Sequence, residues 1–331
     1  MANYNSQNVE IKYSRPRFYN RLLANLIDAV IFILLFFGLF LGSRAIVIST
    51  PTYQANEATI QDIKLESGIF KKDVGGAIRD VITVLNTDDS KSARNKKNDA
   101  KAAIDTFLTY CDEKCEANTA LEIRNSYDEF RLSFDLEDQP IFTIDNGNIV
   151  EVGNADENYY YKKVYSVYID EYCQAYLIKH VPQYYEITKY MSNVLIYAEI
   201  LPSYLLSGII TYLLPTFIFR RGRKTFGKAI YRIGLVDNRV LNCSFKRSLA
   251  RFAIFYFAEL VLSLFSFGLP FIVSFSIMVF SMKKQGFPDY MLGLQEVDTS
   301  KNKIYNSIVE ITIDEITPHK KAIDFNVPIR R

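Results

Sequence analysis

The sequence predicts a mainly α, multi-pass transmembrane helical protein with a mostly helical extracellular insert domain and a small cytoplasmic β element. Three observations carry that prediction. Apolar runs long enough to cross a bilayer lie near the start and in the last third, a polar stretch separates them, and the charge changes sign from one to the other. Residues 1–50 carry 5 basic against 2 acidic side chains, residues 51–190 carry 16 against 25, and residues 191–331 carry 18 against 10. The middle is therefore −9 between flanks of +3 and +8, which the formal total of +2 conceals. A nucleic-acid-binding surface needs clustered basic and aromatic residues on a soluble face. Here the basic residues sit beside apolar runs instead, so we read them as topology signals and expect no nucleic-acid partner.

Residues 1–21 form a basic lead-in with Lys12, Arg15, Arg17 and Arg21. The run Leu22–Ile48 follows, and a spanning helix needs only about 20 apolar residues. No small-residue cleavage site follows it, so we expect an uncleaved anchor with the amino terminus in the cytoplasm. A second run, Asn193–Phe219, ends at Arg220-Arg221-Gly222-Arg223-Lys224, which marks a cytoplasmic end. The acidic block 51–190 is then expected to face outward. The third run, Phe252–Met282, would make a straight helix of about 46 Å against a hydrocarbon core of about 30 Å. Gly268-Leu269-Pro270 interrupts it. Lys246, Arg247 and Arg251 precede the run and Lys283 and Lys284 follow it. The preferred solution is a hairpin of two short helices split near 268–270, giving four spans and a cytoplasmic segment 283–331. One tilted helix with the carboxyl tail outside is the rival.

Within 51–190, apolar spacing predicts helices over 100–110 (Ala103, Ile104, Phe107, Leu108), over 120–134 (Leu121, Ile123, Tyr127, Phe130) and over 158–180. Pro182 predicts a break before a helix that continues into the second run. Asp145-Asn146-Gly147-Asn148 between short apolar strands predicts a hairpin. Residues 88–98 read as a loop or helix junction, and Tyr159-Tyr160-Tyr161 as packing rather than a ligand site. In the basic segment 220–251, 233–236 and 240–245 look like a strand pair, which 292–297 extends if both share a side of the membrane. Residues 308–313 are the one part of the tail expected to be ordered. Cys111, Cys115, Cys173 and Cys243 do not make a disulfide framework, and free, partly buried thiols are the preferred reading. With only His180 and His319 in the chain, no metal site is expected. Nor does any phosphate loop or nucleophile elbow appear, so we expect neither cofactor nor enzyme.

With these pieces in order, the chain resembles the RDD family of bacterial membrane proteins, named for one arginine and two aspartates. RLLANLIDAVIF is similar to the signature at the start of the first helix, with Arg21 and Asp28 in the matching places. TFGKAIYRIGLVDN and RSLARF resemble the next landmarks, a Thr-x-Gly-Lys turn (Thr225, Gly227, Lys228) and an arginine opening the following helix (Arg251). Gly286-Phe287-Pro288-Asp289 resembles the last, with Pro288 where histidine is usual. The resemblance covers residues 15–48 and 203–298. It implies membrane residence at the bacterial cell membrane and no assigned activity, transport and cation–proton exchange being the standing suggestions. The acidic insert is longer than the family's usual connection, so its role is not inherited.

Ionisable residues inside a membrane helix are functional candidates by default. One reading makes Asp28, Glu199 and Glu259 a proton or cation path. The other makes Arg21, Asp28, Arg251 and Asp289 a structural ion network. A further reading treats the spans as an anchor for an outer binding or sensing module. The expected partners are the lipid bilayer and, left open, a second copy or another membrane protein.

Overall fold

The computed structural model describes residues 13–280 and 285–321. Lys12, Lys283 and Lys284, three of the topology-setting lysines, lie outside the described residues. The chain is mostly helical, at 68%, which fixes the class as mainly α. In chain order it runs α1 (Phe18–Ile48), α2 (Pro51–Glu66), β1 (Phe70–Lys72), β2 (Ile78–Asp80), α3 (Val81–Thr87), α4 (Ala93–Lys114) and α5 (Ala117–Leu132). Two short hairpins follow, β3 (Asp135–Leu136) with β4 (Gln139–Pro140) and β5 (Phe142–Asp145) with β6 (Asn148–Glu151). Then come α6 (157–180) and α7 (Pro182–Ile218). The last third holds α8 (Phe226–Ile230), β7 (Ile233–Val236), α9 (Phe245–Phe265), α10 (Leu269–Phe280), α11 (Phe287–Leu292), β8 (Gln295–Asp298) and α12 (Ile308–Lys321). These elements form two compact units, one from the described parts of Met1–Ser43 and Glu199–Arg331, the other Arg44–Ala198.

In the first unit, α1, α7 and α9 are long and apolar enough to cross a membrane. Their packing agrees with that reading. Only 11% of the most apolar window of α1 is buried, leaving Leu34, Phe37 and Leu41 more than half exposed. A soluble protein rarely leaves so continuous an apolar surface uncovered. α9 begins at Phe245, seven residues before the apolar run. Ser244 caps it by accepting from the Arg247 N–H, so Lys246, Arg247 and Arg251 lie inside the helix, and Arg251 does not open it. The chain breaks at Phe267 and Gly268, both with positive φ, before α10. At 12 residues, α10 is about 18 Å long, short of a bilayer core.

The β element differs from expectation. β7 pairs antiparallel with β8, Ile233 opposite Asp298 and Val236 opposite Gln295. Residues 240–245 contribute only an isolated bridge, Val236 to Asn242. The reason is local. The Asp237 side chain accepts from the backbone N–H groups of Arg239 and Leu241, and Val240 sits at positive φ, so the chain folds tightly back before it can extend. Residues 308–313 belong to helix α12.

The second unit has its own core. α4 buries Ala100, Ala103, Ile104, Phe107, Leu108 and Cys111, the spacing of one helical face. It starts at Ala93, capped by Ser92, so 93–98 is helix and only 88–92 is a connection. On α5, Ile123 and Tyr127 are buried, whereas Leu121 is 58% exposed and faces away from the core. Tyr160 and Tyr161 are core residues whose hydroxyls donate to the Ile141 carbonyl (3.0 Å) and Asn86 Oδ1 (2.7 Å). Asn146 and Gly147, both at positive φ, turn the β5–β6 hairpin. Lys97 reaches Glu151 (2.7 Å) and Glu157 (2.6 Å), and Tyr165 donates to Glu151. All four cysteines are free thiols. Two helices, α2 and α3, and two hairpins, β1–β2 and β3–β4, have no counterpart in the sequence-based expectations.

Candidate functional site

The first unit encloses a cavity of about 330 Å³ among α1, α7, α8, α9, α10, α11 and β8. Its charged lining is Arg21, Lys228, Arg251, Glu259, Asp289 and Glu296. Glu296 gathers two cations: the Arg21 guanidinium donates to it, and Lys228 Nζ lies 2.7 Å from Oε1. Burial pushes the Glu296 carboxyl up, but Lys228 and Arg21 outweigh burial and hold it down at about 2. Arg251 grips Asp289 with two donors, Nε at 2.5 Å and Nη2 at 3.2 Å, the bidentate geometry that favours arginine over lysine.

Asp28 is held differently. Its Oδ2 accepts from Thr225 Oγ1 at 2.5 Å and its Oδ1 from the Gly227 backbone N–H at 2.7 Å. The first N–H groups of a helix have no partner within it, and here a carboxylate on α1 supplies one for α8. The close approach requires glycine, because a Cβ at position 227 would lie 2.0 Å from the Ala24 carbonyl oxygen. Arg21, Asp28, Arg251 and Asp289 therefore do not form one network. Arg251 and Asp289 pair, Arg21 turns to Glu296, and Asp28 caps the Thr225-Phe226-Gly227-Lys228 turn.

Of the three carboxylates on the candidate path, Glu259 lines the cavity. It is 5% exposed, and its Oε1 has no partner among the described residues. Asp28 lines a smaller hollow of about 60 Å³ that shares Asn25, Tyr212, Lys228 and Arg251 with the cavity. Glu199 is fully buried but lines neither hollow. Glu199, Tyr212 and Glu259 all sit in π-helical stretches, 194–200, 209–213 and 255–261. Such wide turns are rare and gather at functional positions. Among the described residues no group of three or more histidine, cysteine or acidic side chains is placed to hold a metal ion.

Glu296, Ser274 and Tyr212 were not singled out in the sequence. Glu296 left a trace: it lies two residues after the fully buried Leu294, so strand alternation puts an acid on the Leu294 side, and in the ladder it sits opposite the buried Leu235. Ser274 and Tyr212 are ordinary members of apolar runs and left none.

The model of the RDD family, a family of integral membrane proteins, matches residues 174–293. This region is similar to the RDD family. The match takes in the Thr225–Lys228 turn, Arg251, Glu259 and Asp289. It leaves out α1 with Arg21 and Asp28, Glu296, and most of the second unit. No curated protein and no solved structure matches the chain.

Proposed function

We propose that this RDD-family membrane protein carries a small ligand, or exchanges a cation for a proton, through the cavity around Glu259. The observation that supports this most is the state of the lining charges. Arg251 pairs with Asp289, and Arg21 and Lys228 share Glu296, while Glu259 keeps an oxygen with no donor among the described residues. Paired charges build the wall; a carboxylate with spare valence, deep in apolar helices, is the group that can take and release a cation. Asp28, already spent on capping α8, is a positioning residue in this reading, and Glu199 a relay nearer the other end of α7.

The topology that goes with it is multi-pass, with α9 and α10 as the hairpin, both termini in the cytoplasm and residues 51–190 outside. We assign no enzymatic role; the lipid bilayer is the partner, and self-association is left to measurement. The test is flux across vesicles loaded with a pH-sensitive dye and the purified protein. Glu259→Gln should abolish cation-driven proton movement while inserting normally. Undiminished flux in that variant removes Glu259 from the path.

One observation favours a second reading. Residues 44–198 build a core of their own, as a sensing or binding module would. If residues 51–190, expressed alone, fold and retain a ligand while the whole protein moves no ion, the membrane helices are an anchor.

A further inference from the structure

Buried charges around Glu259 do not balance. The cavity and the smaller hollow beside it are lined by three cations, Arg21, Lys228 and Arg251, and by four carboxylates, Asp28, Glu259, Asp289 and Glu296. Arg251 closes on Asp289, and Arg21 and Lys228 share Glu296. Asp28 accepts from Thr225 and the Gly227 N–H, with Lys228 and Arg251 bordering the same hollow. With all four acids ionised, the set is one positive charge short. Glu259 is the member whose Oε1 has no donor among the described residues, at 5% exposure. Burying a carboxylate uncompensated is costly, so the site is completed by one positive charge, a proton or a monovalent ligand.

The rest of the lining is apolar and largely aromatic. α10 contributes Phe271, Ser274, Phe275 and Met278, whose spacing of three and four residues puts them on one helical face. Phe271 and Phe275 are 39% and 48% exposed. Phe255 lies about one turn before Glu259 on α9, and its ring meets those of Tyr212, with centroids 4.5 Å apart, and Phe271, at 6.3 Å. A bare metal ion sheds its water only for several converging oxygens. Here Asp289 and Glu296 are committed to cations, and Ser274 Oγ accepts from the Phe287 N–H. At about 330 Å³ the cavity has room for about ten water molecules, far more than one stripped ion fills. A single carboxylate among aromatic rings suits an ammonium ion whose charge is wrapped in carbon.

We propose that the ligand of this cavity is a monovalent organic ammonium ion, its charge at Glu259 and its alkyl groups against Phe255, Phe271 and Phe275. Its entry displaces a proton from Glu259, one charge for one, so the lining stays balanced in both states. The assignment rests on the transport reading in taking Glu259 as the group that receives the ligand, and it narrows the cation to one class.

The test is calorimetric titration of the full-length protein in detergent with tetramethylammonium and with choline, in a constant background of sodium chloride. Saturable binding that survives replacement of the sodium by potassium is expected. tert-Butyl alcohol, a neutral molecule of similar bulk, should give no saturable heat. Glu259→Gln should weaken the binding by more than about a hundredfold. Phe275→Leu, which keeps an apolar side chain, should weaken it about fivefold, the worth of one cation–π contact, without changing the melting temperature. The comparison of ligands on the wild type needs no variant to fold. No saturable binding of either ammonium ion, competition by sodium or potassium on equal terms, equal heat from tert-butyl alcohol, or unchanged affinity in Glu259→Gln overturns the proposal. Proton flux driven by sodium or potassium, with no ammonium binding, leaves the transport reading standing and this one fallen. Ammonium binding without flux of any cation does the reverse.

Discussion

Replacing Glu296 by glutamine probes the charged wall of the cavity. Glu296 is the one anion shared by Arg21 and Lys228, and all three side chains are no more than 10% exposed. Two routes give the size of the loss. The drop of its pKa from an ordinary 4.5 to about 2 corresponds to about 3 kcal/mol of favourable interaction with the charged form. Independently, removing one partner from a buried ion pair costs about 3–5 kcal/mol, because the other charge stays buried and uncompensated. The two agree at about 3 kcal/mol. For a body of this size that lowers the melting temperature by about 6–12 °C, measurable by intrinsic tyrosine fluorescence in detergent. The pH dependence follows from the direction of the shift. A carboxyl whose folded pKa lies below its unfolded one stabilises fully above the unfolded value and loses that contribution as the pH falls toward the folded one. The gap between wild type and Glu296→Gln should therefore be constant from about pH 5.5 to 8 and shrink to less than half by about pH 3. Adding Lys228→Met removes one stranded cation and should recover part of the loss. A variant that melts within 1 °C of wild type, or a gap that does not narrow in acid, refutes the reasoning.

Two further outcomes follow from the packing. Gly227→Ala places a methyl carbon 2.0 Å from the Ala24 carbonyl oxygen, a backbone atom that has no rotamer to change. It should cost about 3 kcal/mol and lower the monodisperse yield, whereas Gly38→Ala, with nothing within 4 Å, should be neutral or slightly stabilising in the same melt. In the second unit, Lys97→Met strands Glu151 at the core edge and should cost about 3 kcal/mol by circular dichroism. Burial raises the Glu151 pKa, but Lys97 and Tyr165 hold it below the ordinary carboxylate range. The wild type should accordingly lose this contribution on acidification through that range, and the variant should be less acid-sensitive there.

What the sequence disclosed and what it hid divide along physical lines. Helices with a strong period were legible: the α4 face at Ala103, Ile104, Phe107 and Leu108 is the buried face. So was the Asn146-Gly147 turn, because few residue pairs accept positive φ twice in succession. The strand expected at 240–245 failed because a side chain overrode propensity: Asp237 captured the following N–H groups and turned the chain early. α9 began earlier than its apolar run because Ser244, not hydrophobicity, sets its start. At the site, the residue types were visible but their partners were not. Arg251 and Asp289 were expected in one network with Arg21 and Asp28, of which the structure keeps only the Arg251–Asp289 pair. Asp28 with the Gly227 N–H was not anticipated, since a backbone donor carries no mark in the sequence. Glu296 was passed over as part of an alternating strand, although an acid on the side of the buried Leu294 is a demand for cations.

The proposed topology has the apolar helices cross a bilayer, with residues 51–190 outside and the β7–β8 ladder in the cytoplasm. Single-cysteine labelling in intact cells, in a background lacking Cys111, Cys115, Cys173 and Cys243, measures that most directly. The account predicts that Asp73→Cys, beside the β1–β2 turn, reacts with a membrane-impermeant maleimide in intact cells, whereas Ser300→Cys, just after β8, reacts only once the membrane is opened. Equal labelling of the two positions in intact cells, or labelling of position 300 alone, contradicts it.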